Sequence, residues 1–426
     1  MRLGFVEDAN GYMRWLKGRV GGGCEQPMKI NILYGIDGRQ ELPETELSHF
    51  SGHGGAQPVR IGNEAYDQVQ LDIYGELMDA VYLVNKYGEA ISHEGWKHTV
   101  EVADQVCETW NQKDVGIWEM RGEQHHFLHS RLMCWVALDR AIRLASKRSL
   151  PAPFARWDQT RQAIYADIWS NFWNEEHGHF VQHIGSTALD GSMLLMPLVR
   201  FVAATDPRWL STLEAIQKSL VRDGMVYRYR NDDSQIDGLQ GTEGAFAACS
   251  FWYVECLARA GQVEKAHLEF EQLLRYANPL GLYAEEFDNQ ARHLGNTPQA
   301  LSHLAFDQRG DVPGPQAQRG ENHLATLKWP VHNGQPLDHG QERHAPGTAD
   351  HRCATLLQPA RVAGGRHQCP AGAHAVSRHR GAPRRERHAL RPATRLATGA
   401  ERPEPGGRRP HLYQPRLCAN TRDRRL

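Results

Sequence analysis

The sequence predicts an all-α fold in which helical hairpins close into a barrel. Three observations carry this. Apolar residues recur at helical spacing in about ten stretches over the first 306 positions. Almost no stretch alternates with the period of a strand. Long connections recur once per helix pair, at 37–63, 113–125, 174–187, 223–243 and 278–297. Such spacing suits a barrel whose functional loops gather at one end. No sequence repeat of a solenoid unit is visible, which weighs against an open stack.

The elements follow in order. Residues 4–19 read as a helix with Phe5, Met13, Trp15 and Leu16 among its apolar positions, ended by Gly21-Gly22-Gly23. That glycine run lacks the Lys-Ser/Thr of a phosphate loop and the strand of a dinucleotide fold. Ile30 to Tyr34 reads as a short strand before the turn Asp37-Gly38. A long loop covers 40–63. Helices are then expected over 64–87, 94–112, 126–147, 155–174, 187–203, 207–221, 243–260 and 262–277, and a last one starts near Thr297-Pro298-Gln299. Asp190 and Thr242 are candidate starts, and Gly178, Gly224 and Gly261 are candidate stops.

The chain has 426 residues, 40% hydrophobic and 23% charged, with a formal net charge of -1. That average hides a split after Phe306. Residues 307–426 hold 21 basic and 10 acidic residues, a net of +11, which leaves the first 306 residues at -12. An acidic body argues against nucleic acid or an anionic membrane as partner. No apolar run approaches the ~20 residues of a membrane span. Met1-Arg2-Leu3-Gly4-Phe5 opens without the pattern of a signal peptide. The eight cysteines form no CxxC pair, and Cys107, Cys134, Cys249 and Cys256 fall in apolar helical patterns as reduced core thiols. The expectation is a soluble cytoplasmic protein. The tail has no Ile, no Phe, twenty Arg and one Lys. Its bias reads as G/C-rich DNA translated out of frame, and a disordered arm is expected there rather than a second domain. The domain plan is therefore a catalytic body over 1–306 and a tail over 307–426.

The stretch that carries chemistry is Gly116-Ile117-Trp118-Glu119-Met120-Arg121-Gly122. A carboxylate follows an indole, and an apolar wall beside a carboxyl favours its protonated form. A general acid working near neutral pH needs that property. The alternative is an ordinary loop glutamate paired to Arg121. A second acidic loop, Glu285-Glu286-Phe287-Asp288, offers the opposing carboxylate. His125 and His129 have the i, i+4 spacing of a zinc pair, but no HExxH pattern accompanies them, so no metal is expected. No Gly-x-Ser-x-Gly elbow is present. No cofactor is called for. Trp96, Trp110, Trp157, Trp169, Trp173 and Trp252 sit at helical spacing and are expected mostly in the core.

The heptapeptide at 116–122, with the run from His129 to Ala141 behind it, resembles the bacterial branch of glycoside hydrolase family 15, the glucoamylase and trehalase family. So do Tyr34 to Arg39, Pro58 to Asn63, Asp190-Gly191-Ser192, Val226 to Tyr229, Cys249 to Trp252, Glu285 to Asp288 and Leu294 to His303. The matches run in order from about residue 3 to 306. The resemblance implies an (α/α)6 barrel and an inverting, exo-acting hydrolase of terminal α-linked glucose. Its general acid falls on Glu119 and its base on Glu285, with Glu286 the second choice. Arg228 and Tyr229 fall on its sugar-binding pair. Trp118 walls the site, Arg121 stands beside the acid, and Arg60 and Asn63 lie in a loop that faces it. The family also has a Trp-Leu-Arg-Asp helix upstream of the position of Phe5, which this sequence does not show. The barrel is accordingly expected to be incomplete at its first and last helices. The substrate expected first is a malto-oligosaccharide. α,α-Trehalose is the alternative, and a fragment that at most binds sugar is the third reading.

Overall fold

The computed structural model describes residues 5–20, 30–55, 57–230 and 243–307. The glycine run at 21–23, the candidate start Thr242 and the tail from 308 onward lie outside the described residues. Helix α1 spans Val6–Val20. Then come α2 (Asp72–Tyr87), α3 (His93–Thr109), α4 (Leu128–Arg148) and α5 (Phe154–Asn171). The second half holds the single turn α6 (Leu195–Leu198), α7 (Pro207–Leu220), α8 (Ala247–Arg259), α9 (Val263–Leu274) and α10 (Ala300–Asp307). Helix α4 is the hub of the first half and packs on α2, α3 and α5, while α8 packs on α9 and α10. Helix α8 is buried along nearly its whole length and α4 from Leu128 to Ala141, where its charged residues Arg131, Asp139 and Arg140 are taken up in ion pairs. At the α2–α4 crossing, a Cβ on Gly75 would stand 2.3 Å from the carbonyl oxygen of Met133, so only glycine permits this approach. Trp157, Trp209, Phe172, Phe180, Phe251 and Leu132 fill the core between the helices. No described helix is long and apolar enough to cross a membrane.

The strands are pairs of residues that pin loops. β1 (Thr45–Glu46) pairs with β2 (Arg60–Ile61), and β3 (Trp173–Asn174) with β4 (His179–Phe180). β5 (Val221–Arg222) pairs with β6 (Met225–Val226). β7 (Ala245–Phe246), β8 (Glu286–Phe287) and β9 (His293–Leu294) form a three-stranded ribbon in which Phe246 faces Glu286.

Three expectations are corrected. Ile30 to Tyr34 forms no strand: it pairs with no strand among the described residues, and the Asn31 amide donates to the Tyr34 hydroxyl instead. The helix expected from 64 begins only at Asp72. Asn63 caps a short 3-10 turn over Glu64–Asp67, and the chain re-enters a helix where the Leu71 amide meets the carboxylate of Asp114. The helix expected over 187–203 is a 3-10 turn over Gly191–Leu194 followed by α6. Asp190 caps that turn through the Ser192 amide at 2.7 Å, and Pro197, which has no amide hydrogen, stands where a longer helix would need a donor.

Candidate active site

The loop from α3 to α4 carries Trp118 and Glu119, and buried polar bonds hold its frame. Asp114, fully buried, accepts from the Leu71 amide at 2.9 Å and from the Ser130 hydroxyl at 2.6 Å, and its backbone pairs with His125. Burial raises the Asp114 carboxyl above its ordinary range, against the lowering effect of those donors. Arg131, 1% exposed, donates to the Trp110 carbonyl, to Asn111 at 2.6 Å and to Asp167 at 3.1 Å. Between these anchors Gly116 turns at φ +70° against the ring of Phe127. Glu119 then sits at φ +55°, a left-handed conformation that costs a non-glycine residue about 1–2 kcal/mol. Such strain concentrates at functional sites, where the surroundings hold it in place.

That turn sends Trp118 and Glu119 to different partners. The indole N–H of Trp118 meets both carboxylate oxygens of Asp190, at 2.9 and 3.0 Å. Its ring lies edge-on to Phe246 at 5.3 Å, with the Arg228 guanidinium 5.4 Å above it. The half-buried Glu119 carboxylate accepts from the side-chain amide of Asn63 at 3.1 Å. The pairing of Glu119 with Arg121 does not form. Arg121 goes outward to Glu44 at 2.9 Å and to Glu64 at 3.8 Å. Arg60, also exposed, shares Glu44 at 3.8 Å and reaches Glu46 at 3.6 Å. Arg60 and Arg121 are thus joined through Glu44 at the rim, while Asn63 reaches the carboxylate itself.

The second half of the site is built on β6, β7 and β8. The Arg228 guanidinium lies 2.6 Å from Glu243 and 3.1 Å from Glu286. Burial opposes its charge, but Glu243 and Glu286 outweigh burial and hold it charged. Glu286 also accepts from the Gly244 amide at 3.2 Å. Burial pushes its carboxyl up to about 7, reinforced by Glu243 and opposed by Arg228. Arg228 therefore serves Glu243 first and neutralises Glu286 only in part. Tyr229, buried, joins Val115, Met120 and Phe127 in a small apolar cluster against which Trp118 packs. Glu285 takes the other side of the strand edge. Its carboxylate accepts from the Asn296 amide at 3.1 Å and from the Asn296 side chain at 3.0 Å. Gly295, at φ +68°, makes room for it: a Cβ there would stand 2.7 Å from a Glu285 oxygen.

Asn63, Trp118, Glu119, Arg228, Tyr229, Glu285 and Glu286 are linked by contacts or chain adjacency, while Arg60 and Arg121 stand apart on Glu44 and its neighbours. Trp118 reaches Arg228, Arg228 reaches Glu286, and the adjacent pairs Trp118-Glu119 and Glu285-Glu286 carry the two candidate carboxylates. Four partners were not foreseen in this role: Glu44, Asp190, Glu243 and Asn296. Asp190 and Asn296 stand in the motifs that carry the resemblance, which was the available signal. Glu44 and Glu243 have no local pattern. The histidines do not converge. His125 stacks on His183 at 4.2 Å, His126 meets Arg131 at 2.8 Å, and His129 is buried 3.7 Å from Asp72. No group of His, Cys, Asp and Glu among the described residues could hold a metal ion.

A family model described as glycosyl hydrolases family 15 matches residues 1–306. The chain belongs to that family. Its likeness to curated members is substantial. It is 41% identical to a trehalase of Mycobacterium tuberculosis over 305 residues, which is 71% of this chain and 45% of that relative. It is 38% identical to a trehalase of Thermoplasma acidophilum over 280 residues, 65% of this chain and 47% of the relative. The chain spans about half the length of the curated relatives it matches. Among solved structures, a wild-type glycosidase superimposes with a TM-score of 0.50 at 21% identity, covering 59% of this chain and 70% of that one. At that identity the likeness speaks to the fold, and the mostly helical architecture agrees with it.

Proposed function

We propose that this family 15 chain hydrolyses α,α-trehalose with inversion, Glu119 acting as general acid and Glu285 as general base. The observation that carries the substrate is the identity of 33–41% to relatives that are each named trehalase. The malto-oligosaccharide expected first gives way to trehalose on that ground. The hairpins are read as an (α/α)6 barrel, and residues 1–306 as its catalytic domain. Free thiols at Cys134, Cys249 and Cys256 suit a cytoplasmic setting.

The chemistry uses one protonated and one ionised carboxyl, about 6.5–9.5 Å apart so that a water fits between base and sugar. Glu119 gives its proton to the glycosidic oxygen as the bond to the anomeric carbon breaks. Glu285 takes a proton from water attacking the opposite face. The products are β-glucose from the attacked ring and α-glucose as leaving group, for one trehalose and one water consumed. Asn63 and Asn296, each bonded to one of these carboxylates, fix them with neutral donors. Arg228, over the face of the Trp118 ring, is assigned to the attacked sugar, with Tyr229 behind it. Arg60 and Arg121 belong to the rim on the leaving side.

The test is product analysis by proton NMR on trehalose and on maltose. Fresh hydrolysate of trehalose is expected to hold equal α- and β-glucose before mutarotation, and maltose is expected to be the poorer substrate. Glu119→Gln is expected to lose 10²–10⁴-fold on trehalose, the usual worth of a general acid. It keeps activity on α-glucosyl fluoride, whose leaving fluoride needs no proton. Glu285→Gln loses on both. Maltose turnover equal to trehalose sinks the substrate, and a fully active Glu119→Gln sinks the acid.

A further inference from the structure

Asp190 takes no part in the two-carboxylate chemistry, yet it is the most heavily bonded acid near Trp118. It is 3% exposed. One oxygen accepts from the Ser192 amide at 2.7 Å and the other from the Gln182 side chain at 2.8 Å. Both accept the Trp118 indole N–H. The same turn reaches the opposite half of the site, because the Gly191 amide donates to the Arg228 carbonyl at 2.6 Å. Gly191 is pressed onto Cys249, with a built Cβ only 2.9 Å from its sulfur, so the turn rests on the buried start of α8. Asp190 is thus fixed from three sides before it meets the indole. Trp118 and Glu119 share one peptide unit, and Glu119 is held at a left-handed φ of 55°. The indole and the Glu119 carboxyl are thus anchored on adjacent residues, Trp118 by Asp190 and Glu119 by Asn63. The indole N–H of the half-buried Trp118 also keeps its acceptor, since a donor left unpaired away from water costs the desolvation of the group.

We propose that Asp190 is a positioning residue: through the indole of Trp118 it sets the direction in which Glu119 presents its carboxyl. The proposal rests on the reading of Glu119 as the acid. Displacement of a reacting group by about 1 Å costs on the order of 100-fold in rate. Asp190→Ala is therefore expected to lower kcat on trehalose about 100-fold and to leave KM within about three-fold. Hydrolysis of α-glucosyl fluoride, which needs no acid, stays within about three-fold of the parent, whereas general damage to the site lowers both substrates together. Asp190→Asn keeps an acceptor for the indole and the cap on Ser192, and restores most of the loss. It also serves where Asp190→Ala fails to fold.

A double-mutant cycle with Trp118→Phe, which keeps an aromatic ring, smaller than the indole, and removes the N–H, completes the test. If Asp190 acts through the indole, the double variant is no slower than the slower single variant. Additive losses overturn the proposal. An activity-independent readout separates it from the reading it rests on. With ¹⁵N-labelled Trp and Asn, Asp190→Ala is expected to shift both the Trp118 indole signal and the Asn63 side-chain amide signal. A shifted indole with an unmoved Asn63 amide refutes the relay even in a chain that turns over nothing. Parent protein inactive on both trehalose and the fluoride refutes the assigned activity instead.

Discussion

The bond between Asn63 and Glu119 allows a prediction in which stability and catalysis separate. Asn63 does two jobs with two ends of one side chain. Its carbonyl oxygen caps the 3-10 turn at the Ala65 amide, 2.9 Å away, and its amide nitrogen donates to Glu119 at 3.1 Å. Asn63→Ala removes both. Loss of such a cap costs about 1 kcal/mol of stability. Loss of a hydrogen bond to a charged or chargeable group costs about 1.5–3 kcal/mol, and the lower end applies here because both residues are half-buried. At about 1.4 kcal/mol per factor of ten, kcat/KM on trehalose falls about ten-fold. Asn63→Ser keeps a capping oxygen for the Ala65 amide and loses the donor to Glu119 without adding a charge. It is therefore expected to be about 1 kcal/mol more stable than Asn63→Ala, the share of the cap, while its kcat/KM falls as far. The assays are thermal unfolding and initial rates of glucose release on the three proteins. An Asn63→Ser enzyme with parental kcat/KM refutes the contact as a catalytic one. An Asn63→Ser enzyme as destabilised as Asn63→Ala refutes the cap.

Two further outcomes follow from burial. Burial holds the Asp72 carboxyl up to about 8 and pushes His129, 3.7 Å away, down to about 3. Because the folded value for Asp72 lies above the unfolded one, its contribution is fully present below about pH 4 and is lost as pH rises toward 8. His129 has the opposite sign: its contribution is present above about pH 6.5 and is lost as pH falls toward 3. Glu286, raised to about 7, acts like Asp72 over a lower window. Between pH 7 and 8 the Asp72 slope dominates, at up to about 1.4 kcal/mol per pH unit. Urea titrations are expected to show the parent losing stability over that unit and Asp72→Asn losing clearly less, the remainder coming from Glu286 and from the buried Glu76, which is also pushed up to about 7; equal slopes would count against a protonated Asp72. Gly75→Ala places a methyl 2.3 Å from the Met133 backbone, where neither helix can give way. Overpacking of about 3 kcal/mol against a helix-propensity gain of about 1 leaves a net loss of about 2 kcal/mol. A drop of several degrees in Tm is expected, and an unchanged Tm would mean that the α2–α4 crossing is not tight there.

The parts of the fold that were legible are those fixed by local period. Helix α7 opens on Asp206 and Pro207, a capping side chain followed by a first-turn proline, and closes near its expected end. Helix α3 begins within one residue of its expected start, with Ser92 as cap. The failures come where a distant group decides the local conformation. Nothing in residues 64–71 says that the helix must wait for Asp114, 43 positions on. Nothing in 187–203 says that Asp190 is spoken for by an indole 72 positions away. The apolar residues there are buried as expected, but burial fixes which residues lie inside and leaves the backbone path open.

The site was legible in its motifs and opaque in its pairings, and the pairings assign the chemistry. Glu285 and Glu286 are the same residue type in adjacent positions. Strand alternation gives one to Asn296 and the other to Arg228, so one meets only neutral amide donors and the other joins a charge cluster. The same division separates Glu119 from Arg121. The sequence places Arg121 two residues from Glu119, yet the structure sends that arginine to Glu44 and Glu64 and gives Glu119 the side-chain amide of Asn63, so the proposed acid meets a neutral donor and the arginine a pair of carboxylates.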